Sequence, residues 1–180
     1  DDAPPVATAN ALSAAIKNAP DGGTVLVTEN ISKESVILSL GESKSVTVDL
    51  GGNTITRTGT AQAGQVFNGG NLTIKNGTIK AENTGIFVQE ATLKLENVNI
   101  DSEYVGVFGQ GAGNTITIDG GTIRSKLFGV YQNGSNSPTV IEVRNAVIHD
   151  ESGAGIYISN AVGRERQRLI VENCNVTGPT

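Results

Sequence analysis

The chain has 180 residues and a net charge of −5, from 13 basic and 18 acidic side chains; it contains 23 glycines, one cysteine, and neither tryptophan nor methionine. That length fits one domain with a sizeable core, and the core must be aliphatic because aromatic residues make up only 4%. Interspersed charge of net negative sign excludes a general attraction to nucleic-acid phosphate or anionic lipid. No apolar run reaches membrane-span length, and the lone Cys174 excludes an intrachain disulfide framework and any multi-cysteine zinc site, reading instead as a small packed residue.

Asp1-Asp2-Ala3-Pro4-Pro5 reads as a trimmed start following a linker, in a piece of a longer protein. Thr8 is placed to cap a short helix. Leu12, Ala15, Ile16 and Ala19 follow at helical spacing, and Pro20-Asp21-Gly22-Gly23 ends it. Strands are then expected at Thr24–Val27, Ser35–Leu38 and Ser45–Val48.

From Phe67 onward the chain repeats. A strand signal centred on an aromatic residue (Phe67, Phe87, Phe108, Tyr131, Tyr157) is followed by an apolar pair: Leu72/Ile74, Leu93/Leu95, Ile116/Ile118, Ile141/Val143, Leu169/Val171. The count from the first residue of each pair to the next aromatic is 15, 15, 15 and 16, and from each aromatic to its own pair 5, 6, 8, 10 and 12. Short strands recurring every 20 to 28 residues or so mark a solenoid whose loops lengthen at one corner. Ile79, Ile100, Ile123, Ile148 and Val176 fall five residues after Ile74, Leu95, Ile118, Val143 and Val171, and all ten are expected inside. Between them lie Asn76, Asn97, Gly120, Asn145 and Asn173, a column suited to left-handed turns and to amide bonding from rung to rung.

The stretches "ALSAAIKNAPDGGTVLV" and "VTVDLGGNTI", with "TIKNGTI", "TIDGGTI", "GIFV" and "GIYIS", resemble the right-handed parallel β-helix proteins of the pectin-lyase-like superfamily, over nearly the whole chain. The resemblance implies an all-β fold, a right-handed parallel β-helix with a short N-terminal capping α-helix. Residues 1–23 are the arm and cap and 24–180 the rungs of one domain, with further rungs or another domain expected after Thr180. Lyases, glycosidases, phage tailspikes and non-enzymatic adhesins share this fold, so it does not name an activity. The Asn-Thr-Asp, paired-Asp, Gly-His-Gly and Arg-Ile-Lys signatures of polygalacturonase-like members are missing at rung positions. The acidic calcium set and arginine motifs of pectate lyases are not matched, and no family catalytic residue carries over.

Alternation puts Ile86, Val107, Val130 and Ile156 inside and Phe87, Phe108, Tyr131 and Tyr157 outside, with Gln89, Gln110, Asn133 and Ser159 two residues on. An aromatic column beside an amide column is a candidate glycan groove, and the flanking Gly85, Gly106, Gly129 and Gly155 are expected to leave the rings uncovered on one side. Packing alone also accounts for such a ladder. A second outer column is Lys80, Asp101, Arg124 and His149, with Glu82, Glu103, Lys126 and Glu151 beyond it. Were the chain an enzyme, Asp101, Glu103, Arg124 and His149 would supply the acid/base set, with calcium as the cofactor of a lyase; otherwise no cofactor or metal is expected. A third column, Lys75, Glu96, Asp119, Arg144 and Glu172, is equally charged. The longest loop, Asn160 to Arg168, carries Arg164, Arg166 and Arg168, suited to an acidic glycan or carboxylate. The leading expectation is a non-enzymatic recognition or adhesion module of a secreted, surface-attached bacterial protein that binds glycan or a host ligand along its loop-bearing side; a polysaccharide lyase or glycoside hydrolase and a passive stalk are the alternatives.

Overall fold

A computed structural model describes residues 5–111, 113–134, 138–159 and 167–178. After β1 (Pro5–Val6) and α1 (Ala9–Asn18), the chain winds into rungs of three strands. The first rung is β2 (Gly23–Val27), β3 (Ile31–Lys33) and β4 (Leu38–Leu40); the second is β5 (Ser45–Asp49), β6 (Thr54–Arg57) and β7 (Gly64–Phe67). In the third, β8 (Asn71–Ala81) and β9 (Ile86–Gln89), and the fourth, β10 (Thr92–Ser102) and β11 (Val105–Gln110), the first two strands merge through the turn. The fifth holds β12 (Thr115–Asp119), β13 (Thr122–Ser125) and β14 (Phe128–Asn133), and the sixth β15 (Thr139–Arg144), β16 (Val147–Asp150) and β17 (Ala154–Ile158). The described part of the seventh is β18 (Gln167–Glu172) and β19 (Asn175–Thr177).

Strands at the same rung position pair in parallel, giving a right-handed solenoid with three faces. The first face runs β1-β2-β5-β8-β10-β12-β15-β18 and the third β4-β7-β9-β11-β14-β17. The second is built from β3, β6, the later halves of β8 and β10, then β13, β16 and β19.

Inward side chains stack in register because the side-chain period of two is common to every strand. Leu72, Leu93, Ile116 and Ile141 form one column of the core, Ile74, Leu95, Ile118 and Val143 a second, and Ile79, Ile100, Ile123 and Ile148 a third. All twelve are buried, each contributing about 1.5–3 kcal/mol. Val171 and Val176 continue these columns but are exposed, as is Leu169, because no described rung covers them. At the other end Leu12 and Ile16 of α1 are buried in the core, and Thr8 caps the helix by accepting the Ala11 N–H at 3.2 Å.

Asn76, Asn97, Asn145 and Asn173 have φ between 52° and 56°, and Gly120 has 76°, so the expected left-handed turn recurs. The continuous amide ladder does not. Asn76 donates to Asp49 at 3.2 Å and Asn145 to Asp119 at 2.8 Å, while Asn173 reaches Asn145 only at 3.5 Å. A carboxylate at the end of the preceding strand is the better acceptor for an amide N–H, and it intercepts the bond.

Two expectations are corrected by register. The second opening strand is not Ser35–Leu38: Ile31–Lys33 and Leu38–Leu40 are strands, and where the latter begins Ile37 and Leu38 are both buried and both donate to the Ala63 carbonyl. Phe67 pairs with Gln89, whereas Gln65 pairs with Phe87. Phe67 therefore stands in the amide column, over Gly41, where a Cβ would come within 2.3 Å of its ring. The corner lengthens only from the third rung onward.

Candidate functional site

The third face presents the aromatic ladder. Phe87, Phe108, Tyr131 and Tyr157 are in direct register and lie outside, over the inward Ile86, Val107, Val130 and Ile156. Phe87 meets Phe108 edge-on at 5.6 Å, and Phe108 and Tyr131 stack at 5.0 Å with planes 2° apart. Phe128, which strict alternation would bury, joins them, 4.9 Å from Tyr131 and stacked on Tyr157 at 5.0 Å. Its register partner on the preceding rung, Val105, is buried, whereas Phe128 is only partly so. Stacking uses the ring faces, so the surface of the ladder consists of ring edges, and Tyr157, 44% exposed, is its most open member.

The corner glycines do something other than uncover the rings. A Cβ on Gly106 would come within 2.3 Å of Ile123 and 2.5 Å of the Gly129 carbonyl; one on Gly129 would meet Ile148 at 2.3 Å and the Gly155 carbonyl at 2.5 Å. Gly85 is confined in the same way by Ile100 and Gly106. These glycines face the core and let the second and third faces close on one another.

Gln89, Gln110 and Asn133 form an exposed row beside the ladder, continued by Ser159, whose hydroxyl donates to Asn133 Oδ1 at 2.9 Å. The roots of the lengthening loops are fastened from within by amides the sequence did not single out. Asn114, fully buried, donates to the Gln110 carbonyl and to Gln132 Oε1, each at 3.1 Å, and buried Gln132 donates to the Gly111 carbonyl at 3.0 Å. Gly109 makes room for Gln132, whose Oε1 would lie 2.1 Å from a Cβ there.

The charged set on the second face is divided by the structure. Asp101 pairs in register with Lys80 and Arg124, and Arg124 with His149. Glu103, however, is ion-paired with Lys126, which raises the Lys126 pKa, and His149 Nδ1 shares a 2.8 Å hydrogen bond with Thr177 Oγ1. Asp101, Arg124 and His149 thus stand in one column, while Glu103 and His149 are each engaged by another side chain. Among the described residues no group of three or more His, Cys, Asp or Glu side chains is arranged to hold a metal ion. Cys174 is half-buried against the core, its Sγ 3.1 Å from the Glu172 carbonyl.

Of the expected arginine loop, Arg164 and Arg166 lie outside the described residues. Gln167 and Arg168 belong to β18, and Arg168 is exposed on the first face, paired with Val140. There the Arg144 hydrogen bond, aided by the fields of Arg144 and Arg168, lowers the Glu142 pKa.

A family profile described as a right-handed beta helix region matches residues 35–180. The chain belongs to the right-handed β-helix family. The matched span of this β-helix takes in the aromatic ladder, the amide row and the charged columns of the third to seventh rungs. Comparison with curated proteins and with solved structures gave no match. No helix among the described residues of the β-helix is long and apolar enough to cross a membrane.

Proposed function

We propose that the β-helix is a non-enzymatic recognition module of a secreted, surface-attached protein, and that it binds glycan along the third face. The observation that carries this reading is the unbroken outer ladder Phe87-Phe108-Tyr131-Tyr157, flanked at every rung by a hydrogen-bonding side chain from the row Gln89, Gln110, Asn133 and Ser159. A linear polymer with hydroxyls on each unit meets the same pair of groups at each strand step of about 4.8 Å. Because the ladder members occupy one another's faces, ring edges supply the apolar contact and the amides read the hydroxyls.

Titration against a panel of soluble oligosaccharides tests this. Tyr157→Ala is expected to weaken binding about tenfold and Gln110→Ala by a smaller factor, with Phe87→Ala the least effective. No reducing end or unsaturated product is released from any bound glycan. Steady release of product, or binding indifferent to Tyr157 and Gln110, would overturn the reading.

A further inference from the structure

The first and second faces carry charged columns of similar alternation with different outcomes. On the first, Lys75 meets Asp49 at 3.4 Å, Lys94 meets Glu96 at 2.5 Å, and Arg144 bonds Glu142 at 2.6 Å and Glu172 at 2.9 Å. On the second, Lys80, Asp101 and Arg124 stand in direct register on three successive rungs, all exposed, and among the described residues their charged groups make no hydrogen bond or ion pair. Asp101 exerts only a through-space field on Lys126. The parallel column beside them is Thr78, Asn99 and Thr122, and together the six side chains line a shallow hollow of about 340 Å³, with Ile100 between them.

Strand spacing fixes what this lattice can match. Lys80 and Arg124 are two rungs apart, about 9.6 Å, twice the roughly 4.8 Å between strands. An extended peptide laid along the solenoid axis is out of step, since its same-side residues recur every 6.6 Å or so. An extended pyranoside chain advances by about one strand spacing per sugar, so every second sugar meets a cation.

We propose that this hollow binds an acidic polysaccharide in which a uronate alternates with an N-acetylhexosamine. Successive carboxylates sit on Lys80 and Arg124, the latter able to take a carboxylate bidentately, and the N–H or hydroxyl of the intervening sugar donates to Asp101. Asn99 Oδ1 already accepts the Thr122 N–H at 3.0 Å, which turns its NH₂ toward the ligand as a donor beside the Thr78 and Thr122 hydroxyls. Asp101 sets the selectivity: a polymer with a carboxylate on every sugar places like charges together there. The site lies on a different face from the aromatic ladder and does not rest on the reading of that ladder.

The test is calorimetric titration of the protein with three hexasaccharides: alternating glucuronate–N-acetylglucosamine, all-galacturonate, and neutral N-acetylglucosamine. The wild type should bind the first, more weakly as salt is added, and bind the other two at least about tenfold more weakly. Arg124→Gln should reduce that binding about tenfold, and Lys80→Gln somewhat less. Asp101→Asn should let the all-galacturonate hexamer bind close to the level of the alternating one. All three side chains are exposed, so unchanged thermal melting of the variants separates binding from folding. Tyr157→Ala should leave this binding intact. Wild-type indifference to the alternating hexasaccharide, a wild-type affinity in Arg124→Gln, unchanged selectivity in Asp101→Asn, or loss in Tyr157→Ala would each overturn the proposal.

Discussion

Asp150 and Arg57 occupy equivalent inward positions at the corner between the second and third faces, and they are treated in opposite ways. The column runs Lys33, Arg57, Ala81 and Ser102 by register, and Ser125 and Asp150 continue it. Asp150, 1% exposed, accepts the Ser125 hydroxyl at 2.8 Å, the Ser152 N–H at 3.0 Å, and the Gly153 N–H. Arg57, 3% exposed, has no hydrogen-bond partner at Nε or Nη1 among the described residues. Its guanidinium lies against Gly59, whose N–H donates to the Glu82 carboxylate. A tight turn offers several N–H donors converging on one point but few carbonyls aimed inward. This corner therefore solvates an anion readily and a cation poorly.

Substitutions can break this contrast or refine it. Asp150→Ala leaves a hydroxyl and two N–H groups without their acceptor and is expected to cost about 3 kcal/mol in chemical denaturation. Gly153→Ala should cost about 2 kcal/mol, because a Cβ there would lie 1.8 Å from the Leu127 carbonyl and the turn that presents donors to Asp150 must shift. Arg57→Met should be neutral or stabilising by up to about 1 kcal/mol, since it replaces a poorly bonded buried cation with an apolar chain. A loss of about 2 kcal/mol or more there would mean that the guanidinium has a partner and the contrast is false.

The smallest effect concerns acid. Burial pushes the Asp49 carboxyl up, but the Gly51 N–H, the Asn76 amide and the Lys75 ammonium together hold its pKa below the ordinary value. A carboxylate depressed in the folded state stabilises it fully above its unfolded pKa, and that contribution disappears as pH falls through the folded one. Asp49→Asn should therefore be less stable than the parent at neutral pH, and the gap should close in strong acid when melting is followed against pH.

Much of the architecture was legible from Phe67 onward because a period of two on each strand and an Asn turn between strands leave little freedom in aligning rungs. Ile79, Ile100, Ile123 and Ile148 fall where counting from the turn puts them. Alternation also marks Arg57 and Asp150 as inward, through Ile55 and Ile148 two residues earlier, but charge usually signals surface and the mark is easily passed over. Phe67 misled because an aromatic two residues out of step keeps the same outward phase, and only pairing with Gln89 reveals the slip. Phe128 was hidden because alternation places it inward with Val130, as its register partner Val105 is, and nothing in the sequence marks its ring as reaching the ladder. Asn114 and Gln132 look like loop polarity in the sequence, since their partners are reached across 18 residues of chain.

The glycine column implies a rule about how such a chain can lengthen. Gly85, Gly106 and Gly129 each leave the space that the carbonyl of the next rung's glycine occupies. A rung inserted among them must bring its own glycine and accept the one before it, so the heritable unit of growth is a whole turn copied in phase. At the corner between the third and first faces the spacer instead lengthens by two residues per rung, 6, 8, 10 and 12. One edge of the molecule can thus be edited a few letters at a time and the other only in whole lines.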